Sequence, residues 1–378
     1  MATIRIGTRP GLVGLLGASG AVGRTVARLL AQWGVGPLRL GARRVDRLPV
    51  VTGAMASRVE RWHVDLYDDA ALACFCAGCD VVVNCAGPSF RILDRVARAA
   101  FTAGADYVDP GGDEPLYEQL RHWPRDAGRR AILTAGMMPG LSGLLPRWLA
   151  RQGFDRVVRL TGHVGGRGRL TPSGAADYLL SVGATKSDSL AAWRNGARVA
   201  RALSPIARVD LPFFPPGLAA HPFLSLEAER LARDLALTDA SWYMVFEGEH
   251  LRSALGRLQG AMLGEDDIQD AAAELARAAE LDLFGRAPYQ VMWLDMEGQS
   301  RGQPVRKSAV VRAHDAHELT AVVAAAAARA VLNGELPEGT AFAAEAMDPG
   351  IVEYLAASSG VLRLETLDGE LALEQGAL

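Results

Sequence analysis

Gly14-Leu15-Leu16-Gly17-Ala18-Ser19-Gly20-Ala21-Val22-Gly23 is the stretch from which the fold is read. Before its turn, the apolar run Leu12–Leu16 predicts a buried strand, and after it Gly23–Trp33 places an apolar stripe on one helical face. Three glycines three residues apart, between a strand and a helix, have the context that a dinucleotide fingerprint requires. Gly17 permits the tight turn, Gly20 removes a side chain where a pyrophosphate approaches the backbone, and Gly23 lets the helix pack close on the strand. The amides at the helix N-terminus attract the anion. Gly17, Ala18, Ser19, Gly20, Ala21, Val22 and Gly23 are therefore the candidate phosphate cradle.

Outward from this motif, the first 145 residues alternate short apolar runs with helical patterns. Strands are expected at Leu12–Leu16, Leu38–Leu40, Arg61–Val64, Val81–Cys85, Tyr107–Val108 and Ile132–Thr134. Helices are expected at Gly23–Trp33, Asp69–Phe75, Ile92–Ala103 and Pro115–His122. This is the α/β pattern of a Rossmann-type, doubly wound parallel sheet. After Pro146 the β-type runs Val157–Val164, Ser241–Phe246, Tyr289–Met296 and Pro304–Arg312 are separated by long helical stretches, Ala175–Val182 and Asp266–Leu281 among them. Residues 146–312 are expected to form an inserted α+β domain on a mostly antiparallel sheet, with a hairpin connection at Met296–Gly302. Residues 313–378, including the alanine-rich helix Glu318–Asn333, are expected to be helices packing back on the first domain.

The second strand selects the dinucleotide. An NAD site usually ends this strand with an acid that accepts from the ribose 2′-hydroxyl. Here Leu38-Arg39-Leu40 runs into Gly41-Ala42-Arg43-Arg44, with no acid until Asp46. Two guanidiniums at that place suit a 2′-phosphate through bidentate, charge-assisted hydrogen bonds, so NADP(H) is the expected cofactor. Ligands sit at the carboxyl ends of parallel strands, which makes Asp65 a candidate adenine contact. By the same rule Asn84, Ala86, Gly87 and Pro88 border the nicotinamide ribose.

Composition narrows the partners. The chain has 378 residues, 40 basic against 43 acidic, and a formal net charge of −3. It offers no basic surface for nucleic acid. All but two of the basic residues, Lys186 and Lys307, are arginine. No apolar stretch long enough for a membrane span occurs, and the run near Arg5 and Arg9 that imitates an export signal reads as the first strand. Cys74, Cys76, Cys79 and Cys85 lie within twelve residues. Cys85 falls inside an apolar strand run, so these read as reduced core thiols of a cytoplasmic protein, and no metal site is expected.

With Gly17–Gly23, Val82–Pro88, Tyr107–Asp113, Gly136–Ser142 and the closing alanine-rich helix before Asp348-Pro349-Gly350 in place, the chain resembles the saccharopine-dehydrogenase-like NAD(P)-dependent reductases. The likeness covers the first 145 and last 65 or so residues. It implies that the Tyr107–Asp113 and Gly136–Leu141 loops border the nicotinamide, adding Gly136 and Met137 to the cofactor set. It implies too that the inserted domain carries substrate contacts and dimerisation. One departure is Gly111-Gly112-Asp113, where relatives commonly show a Thr/Ser-Gly-Glu pattern, which puts a role for Asp113 in doubt.

Within this family, saccharopine and opine-type enzymes handle amino acids with several carboxylates. A subgroup similar to thiazolinyl imine reductases of siderophore assembly acts on a ring C=N bond of a carrier-tethered intermediate. Phe213, Phe214 and Trp242 are the candidate apolar wall for such a substrate, and Arg167 a candidate for its carboxylate or carrier phosphate. The same stretch, Leu211–Gly217, also fits an ordinary packed surface loop. Reduction of an imine needs a proton on nitrogen close to hydride delivery. His163, Tyr178 and Lys186 are the candidate donors, in that order, because an unperturbed histidine titrates near neutral pH. The expected function is an NADPH-dependent imine reductase. The alternatives are a saccharopine- or opine-type dehydrogenase, and a non-catalytic NADP(H)-sensing protein.

Overall fold

The computed structural model describes residues 11–121, 128–184, 188–258, 264 and 267–369. They fall into two units, the described residues up to Leu144 with His317–Ser359, and Leu145–Ala316 with the described residues from Gly360 onward.

In the first unit β1 (Val13–Leu16), β2 (Leu38–Ala42), β3 (Val59–His63), β4 (Val81–Asn84), β5 (Asp106–Val108) and β6 (Arg130–Leu133) form one sheet with a late strand, β16 (Gly339–Phe342). The order is β16-β6-β5-β4-β1-β2-β3, and every pairing is parallel. β1 and β4 are buried along their whole length, as continuous apolar runs in a parallel sheet must be. Between them the strand order reverses, which is where such sheets bind ligands. Helices α1 (Ala21–Gln32), α2 (Asp69–Cys76), α4 (Arg95–Thr102) and α5 (Glu114–Leu120) accompany the strands. Side chains of α2, α4 and α5, including Leu72, Phe75, Val96, Phe101 and Leu116, build the core with Val82 and Tyr107.

Local pattern erred at two places in this unit. The helix expected over Ile92–Ala103 is interrupted: α3 (Ser89–Ile92) ends at Leu93, whose backbone is left-handed at φ +48°, before α4 begins. The tail is not all helix either. After α11 (Ala316–Leu332), Gly339–Phe342 adds β16 beside β6, followed by α12 (Ala343–Ala346) and α13 (Ile351–Ser358).

In the second unit, β7 (Arg156–Arg167), β13 (Asp239–Phe246), β14 (Tyr289–Ser300) and β15 (Gln303–Ala313) form the centre of a ten-stranded sheet. One edge continues through β9 (Ala192–Arg194) and β10 (Ala197–Val199), while β12 (Leu218–Leu224) joins β13 and carries β8 (Asp188–Ser189) and β11 (Ile206–Val209). At the other edge β17 (Leu362–Asp368) pairs with β15, so the last described strand joins this sheet and not the first unit. Its register brings Glu365 to Arg312 at 2.7 Å and Asp368 to Lys307 at 2.6 Å. Only the β7–β13 pairing is parallel among the pairings of the four central strands. The seven-residue hairpin connection tightens to Arg301-Gly302, with φ of +51° and +75°, because two left-handed residues match the twist of the long strands on either side. Helices α7 (Pro172–Ala184), α9 (Glu249–Leu258) and α10 (Asp267–Leu283) share an apolar cluster with Ala175, Ala254 and Leu275 at its centre. The remaining helices are α6 (Leu141–Ala150) and α8 (Leu226–Asp234). No helix among the described residues is long and apolar enough to cross a membrane.

A charged residue in β2 is structural. Arg39 is buried, with Nε 2.6 Å from Glu60 and Nη1 donating to the carbonyls of Phe75 and Ala77, both at 2.7 Å. It satisfies the open C-terminal carbonyls of α2 and lies 4.6 Å over the Trp62 ring. Arg39→Met leaves those carbonyls buried without donors. It is expected to lower the unfolding free energy of this unit by about 2–3 kcal/mol in urea denaturation followed by circular dichroism.

Candidate functional site

The turn after β1 is built from contacts that admit no side chain. Gly17 has φ +71°, and a Cβ there would lie 2.5 Å from the Ala86 nitrogen and the Cys85 carbonyl carbon. A Cβ on Gly23 would stand 2.4 Å from the Gly17 oxygen, so α1 starts as close to the turn as a backbone can. Gly20 differs: it is exposed, its only near neighbour is the Gly17 oxygen at 3.2 Å, and it caps α1 without a side chain. The first turn of α1 carries no acid. The Gly20 amide donates to the Gly17 carbonyl at 2.9 Å, and the first-turn amides of α1, from Ala21 onward, are presented without a side-chain cap together with an uncompensated helix dipole, the arrangement that a pyrophosphate needs.

The same close packing links the neighbouring loops. A Cβ on Gly111 would be 2.9 Å from Ser89 Oγ, and one on Gly136 2.5 Å from the Pro110 oxygen. Beneath these loops lies a buried polar cluster at the carboxyl ends of β4 and β5. Asp109, 2% exposed, accepts from Tyr107 Oη at 2.5 Å and Asn84 Nδ2 at 3.2 Å on one oxygen, and from the Gly111 amide at 2.8 Å on the other. Asn84 Oδ1 in turn accepts from the Ala86 amide at 3.2 Å. Asn84 was expected to contact the cofactor; its side chain is instead 1% exposed and committed to this cluster, where it orients the Ala86 loop. Ala86 and Pro88 are half-buried and Gly87 exposed on that loop. Burial and the Asp109 charge raise the Tyr107 phenol well above its ordinary range, so Tyr107 stays a donor. The same causes raise the Cys85 thiol. Cys76 and Cys79, also buried, are pushed up to about 12 and about 11, first by burial, and all four cysteines are free. Asp113 caps α5 by accepting from the Glu114 amide at 2.9 Å. Gly136 is buried packing, while Met137 is half-buried on its loop.

At the other end, Arg43 and Arg44 follow β2, both exposed. Asp65 follows β3, half-buried, with Oδ1 accepting from the Tyr67 amide at 3.0 Å. Phosphate cradle, paired arginines and Asp65 all stand at carboxyl ends of β1, β2 and β3.

Residues 13–134 match the family model described as the saccharopine dehydrogenase NADP binding domain. This segment is an NADP(H)-binding domain. Among solved structures, the chain is similar to the apo saccharopine dehydrogenase (L-Glu forming) of Saccharomyces cerevisiae, with TM-score 0.64, 14% identity, and coverage of 95% of this chain and 100% of that one. The likeness is one of fold. C. glutamicum DAP dehydrogenase in complex with DAP matches with TM-score 0.48 and 17% identity, over 91% and 94% of the two chains. The search of curated proteins found no match. The residues present fit the dinucleotide, since Gly20 is exposed with only the Gly17 oxygen near it, whereas Gly17 and Gly23 are packed on backbone.

In the second unit His163, Phe213 and Phe214 gather around Trp293, whereas Tyr178 and Trp242 pack elsewhere. His163 on β7 lies in register with Tyr243 and Trp293 and stacks between their rings, with centroids 5.0 and 4.8 Å away. It is buried, its Nδ1 has no partner among the described residues, and desolvation lowers its pKa to about 4. The imidazole is therefore neutral at pH 7, which corrects the reason for ranking it first as a donor. Tyr178 packs half-buried in the α7–α9–α10 cluster, with its pKa raised by burial. Lys186 lies outside the described residues. Phe213 and Phe214 pack on Val291, Trp293 and Val310, with Phe213 edge-on to Trp293 at 5.9 Å. Trp242 pairs with Gly162, where a Cβ would be 2.4 Å from its ring, and so occupies the opposite face of the sheet from Trp293. One apolar wall from all three is excluded. Arg167 is held by Glu247 and by the Ala287 carbonyl, at 2.9 Å from Nη2, which leaves no free fork for a carboxylate.

Asp109→Asn places an amide where three donors point. It is expected to reduce stability by about 1–3 kcal/mol and to weaken NADPH binding about tenfold, read by thermal unfolding and fluorescence titration. For His163 the sign is set by its lowered pKa. Above pH 6.5 the imidazole is neutral in folded and unfolded chains alike; as pH falls toward 4, the unfolded chain takes up the proton first. Stability then falls by up to about 1.4 kcal/mol per pH unit, a dependence that His163→Phe is expected to remove in melting curves between pH 7.5 and 4.5.

Proposed function

We propose that the protein is an NADPH-dependent oxidoreductase that transfers hydride at the carbon of a C–N bond. Its favoured substrate is a thiazoline or other cyclic imine, free or tethered to a carrier. The observation that carries the oxidoreductase reading is the NADP(H)-binding segment 13–134 with Arg43 and Arg44 exposed after β2. NADPH supplies the hydride when bound; the chain has to hold it, orient it and manage one proton. The uncapped first-turn amides of α1 hold the pyrophosphate, Arg43 and Arg44 take the 2′-phosphate, and the Ala86–Pro88 loop, fixed through Asn84, limits where the nicotinamide ribose rests.

The proton is assigned to Tyr178 or Lys186. A phenol raised by burial is protonated at pH 7 and can donate, whereas a histidine with a pKa near 4 carries no second proton to give. The second reading is a saccharopine- or opine-type amino-acid dehydrogenase, favoured by the fold likeness over 95% of this chain to the yeast saccharopine dehydrogenase. Both readings place a C–N bond at the reacting carbon and differ in whether carboxylates surround it. A homodimer in the cytoplasm belongs to either reading.

NADPH oxidation should be followed with cyclic imines, with α-keto acid and amino acid pairs, and with enoyl thioesters. Turnover with imines alone is the expected outcome; turnover with keto acid and amino acid pairs selects the second reading. No turnover with any of the three, alongside tight NADPH binding, leaves a nucleotide-sensing protein. In the same assay, Arg43→Ala with Arg44→Ala is expected to raise KM for NADPH about 100-fold and to leave that for NADH nearly unchanged. An equal rise for both coenzymes rejects the 2′-phosphate assignment.

A further inference from the structure

The backbone that carries Arg43 and Arg44 is gripped by two other arginines. After Arg44 the chain makes a short 3-10 turn, Val45–Arg47, closed by Arg47 N to Arg44 O at 3.2 Å and Leu48 N to Val45 O at 3.1 Å. Such a turn has few bonds of its own. Arg24, in the first turn of α1, donates from Nε to the Ser19 carbonyl at 2.8 Å and from Nη2 to the Arg47 carbonyl at 2.6 Å. One side chain thereby ties the phosphate turn to the segment after β2. Arg61 on β3 approaches the same segment from the neighbouring strand. Its Nη1 donates to the Pro49 carbonyl at 3.0 Å, and its Nη2 to the carbonyls of Val45 at 2.9 Å and Leu48 at 3.2 Å.

Both guanidiniums are thus spent on main-chain oxygens and take no acid as partner in these bonds. The geometry needs a planar fork: each side chain spans carbonyls of different residues at once, which a lysine ammonium on one flexible stem does not do in the same way. The side chains of Arg43 and Arg44 are exposed and engage no partner among the described residues, so the direction in which they project depends on the backbone that Arg24 and Arg61 hold. A clamp assembled before the ligand arrives loses less on binding than one ordered by it.

We propose that Arg24 and Arg61 are positioning residues for coenzyme selection: by fixing Val45–Pro49 they hold Arg43 and Arg44 where a 2′-phosphate is met. This rests on the reading of Arg43 and Arg44 as the 2′-phosphate clamp. The alternative is that Arg24 and Arg61 act only as extra positive charge near the phosphate, and lysine substitution separates the two, because it keeps the charge and loses the fork.

The test is calorimetric binding of adenosine 2′,5′-bisphosphate and of AMP to the full chain. It compares wild type, Arg24→Lys, Arg61→Lys, and the double variant Arg43→Ala with Arg44→Ala. Each lysine variant is expected to cut the preference for the bisphosphate about 3- to 10-fold, the loss of one or two charge-assisted bonds, while AMP affinity stays within about twofold. AMP binding serves as the internal control for folding. A preference unchanged in both lysine variants overturns the proposal, and so does a parallel loss of both ligands, which would mark the two residues as supports of the fold alone. If the double alanine variant keeps the preference, the clamp reading itself fails. If it loses the preference while both lysine variants keep it, only the positioning role fails.

Discussion

Backbone brought against backbone with no room for a Cβ is the constraint on which the nucleotide face of this protein depends. Gly17 stands against Cys85 and Ala86, Gly111 against Ser89, Gly136 against the Pro110 carbonyl, and Gly140, at φ +128°, against the oxygens of Gly136 and Thr134. Loops that leave β1, β4, β5 and β6 are therefore keyed to one another in series. A methyl group at Gly17, Gly136 or Gly140 pushes on backbone, which cannot rotate away as a side chain can, whereas one at Gly111 meets the Ser89 side chain. The loops consequently present a fixed surface, and a ligand that binds there need not order them first. Thr134 carries the strain of this arrangement: it is a β-branched residue at φ +53°, buried, with its hydroxyl unpartnered among the described residues.

Close-packed loops bury polar backbone, and the Asp109 cluster answers that. One carboxylate takes the Gly111 amide and the side chains of Tyr107 and Asn84, and Asn84 passes the connection to the Ala86 amide. Two of the keyed loops are thus joined through the Asp109–Asn84 pair, so the Gly111 contact and the Ala86 contact stand or fall together. Partial satisfaction of such a network is worse than none, because each orphaned donor loses its water without replacement. The high pKa values of Tyr107 and Cys85 follow from the same charge in the same dry place, and they exclude either group as a nucleophile at neutral pH.

The parallel sheet was legible because its strands are continuous apolar runs separated by turn residues, and β1, β2 and β4 appear within one or two residues of their expected bounds. β16 and β17 were not. Gly339–Phe342 is four residues with no period of its own, and Leu362–Asp368 is an edge strand whose charges become intelligible only against Arg312 and Lys307 across the ladder. The phosphate turn was legible for the reason just given, that only glycine fits. Asp109 and Tyr107 were visible as part of a motif, but their task was hidden. Whether a polar residue at a strand end faces a ligand or the interior is decided by which loops cover it, and those loops come from distant sequence.

The failure at His163 has the same origin and carries further. Ranking it first used the titration of histidine in water, yet a pKa belongs to an environment as much as to a side chain. Tyr243 and Trp293 are placed on either side of His163 by strand register, one parallel and one antiparallel, which no local window of sequence contains. Burial between two rings then favours the neutral imidazole. Arg167 tells a similar story, since Glu247 lies eighty positions away and occupies the fork that a substrate carboxylate would need. Arginine-rich composition therefore says little about anion binding until each guanidinium is asked what it already holds. Arg39, Arg167, Arg24 and Arg61 hold parts of the protein itself, whereas the Arg43 and Arg44 side chains hold none among the described residues, and it is that freedom, set beside their position after β2, that marks them for a ligand.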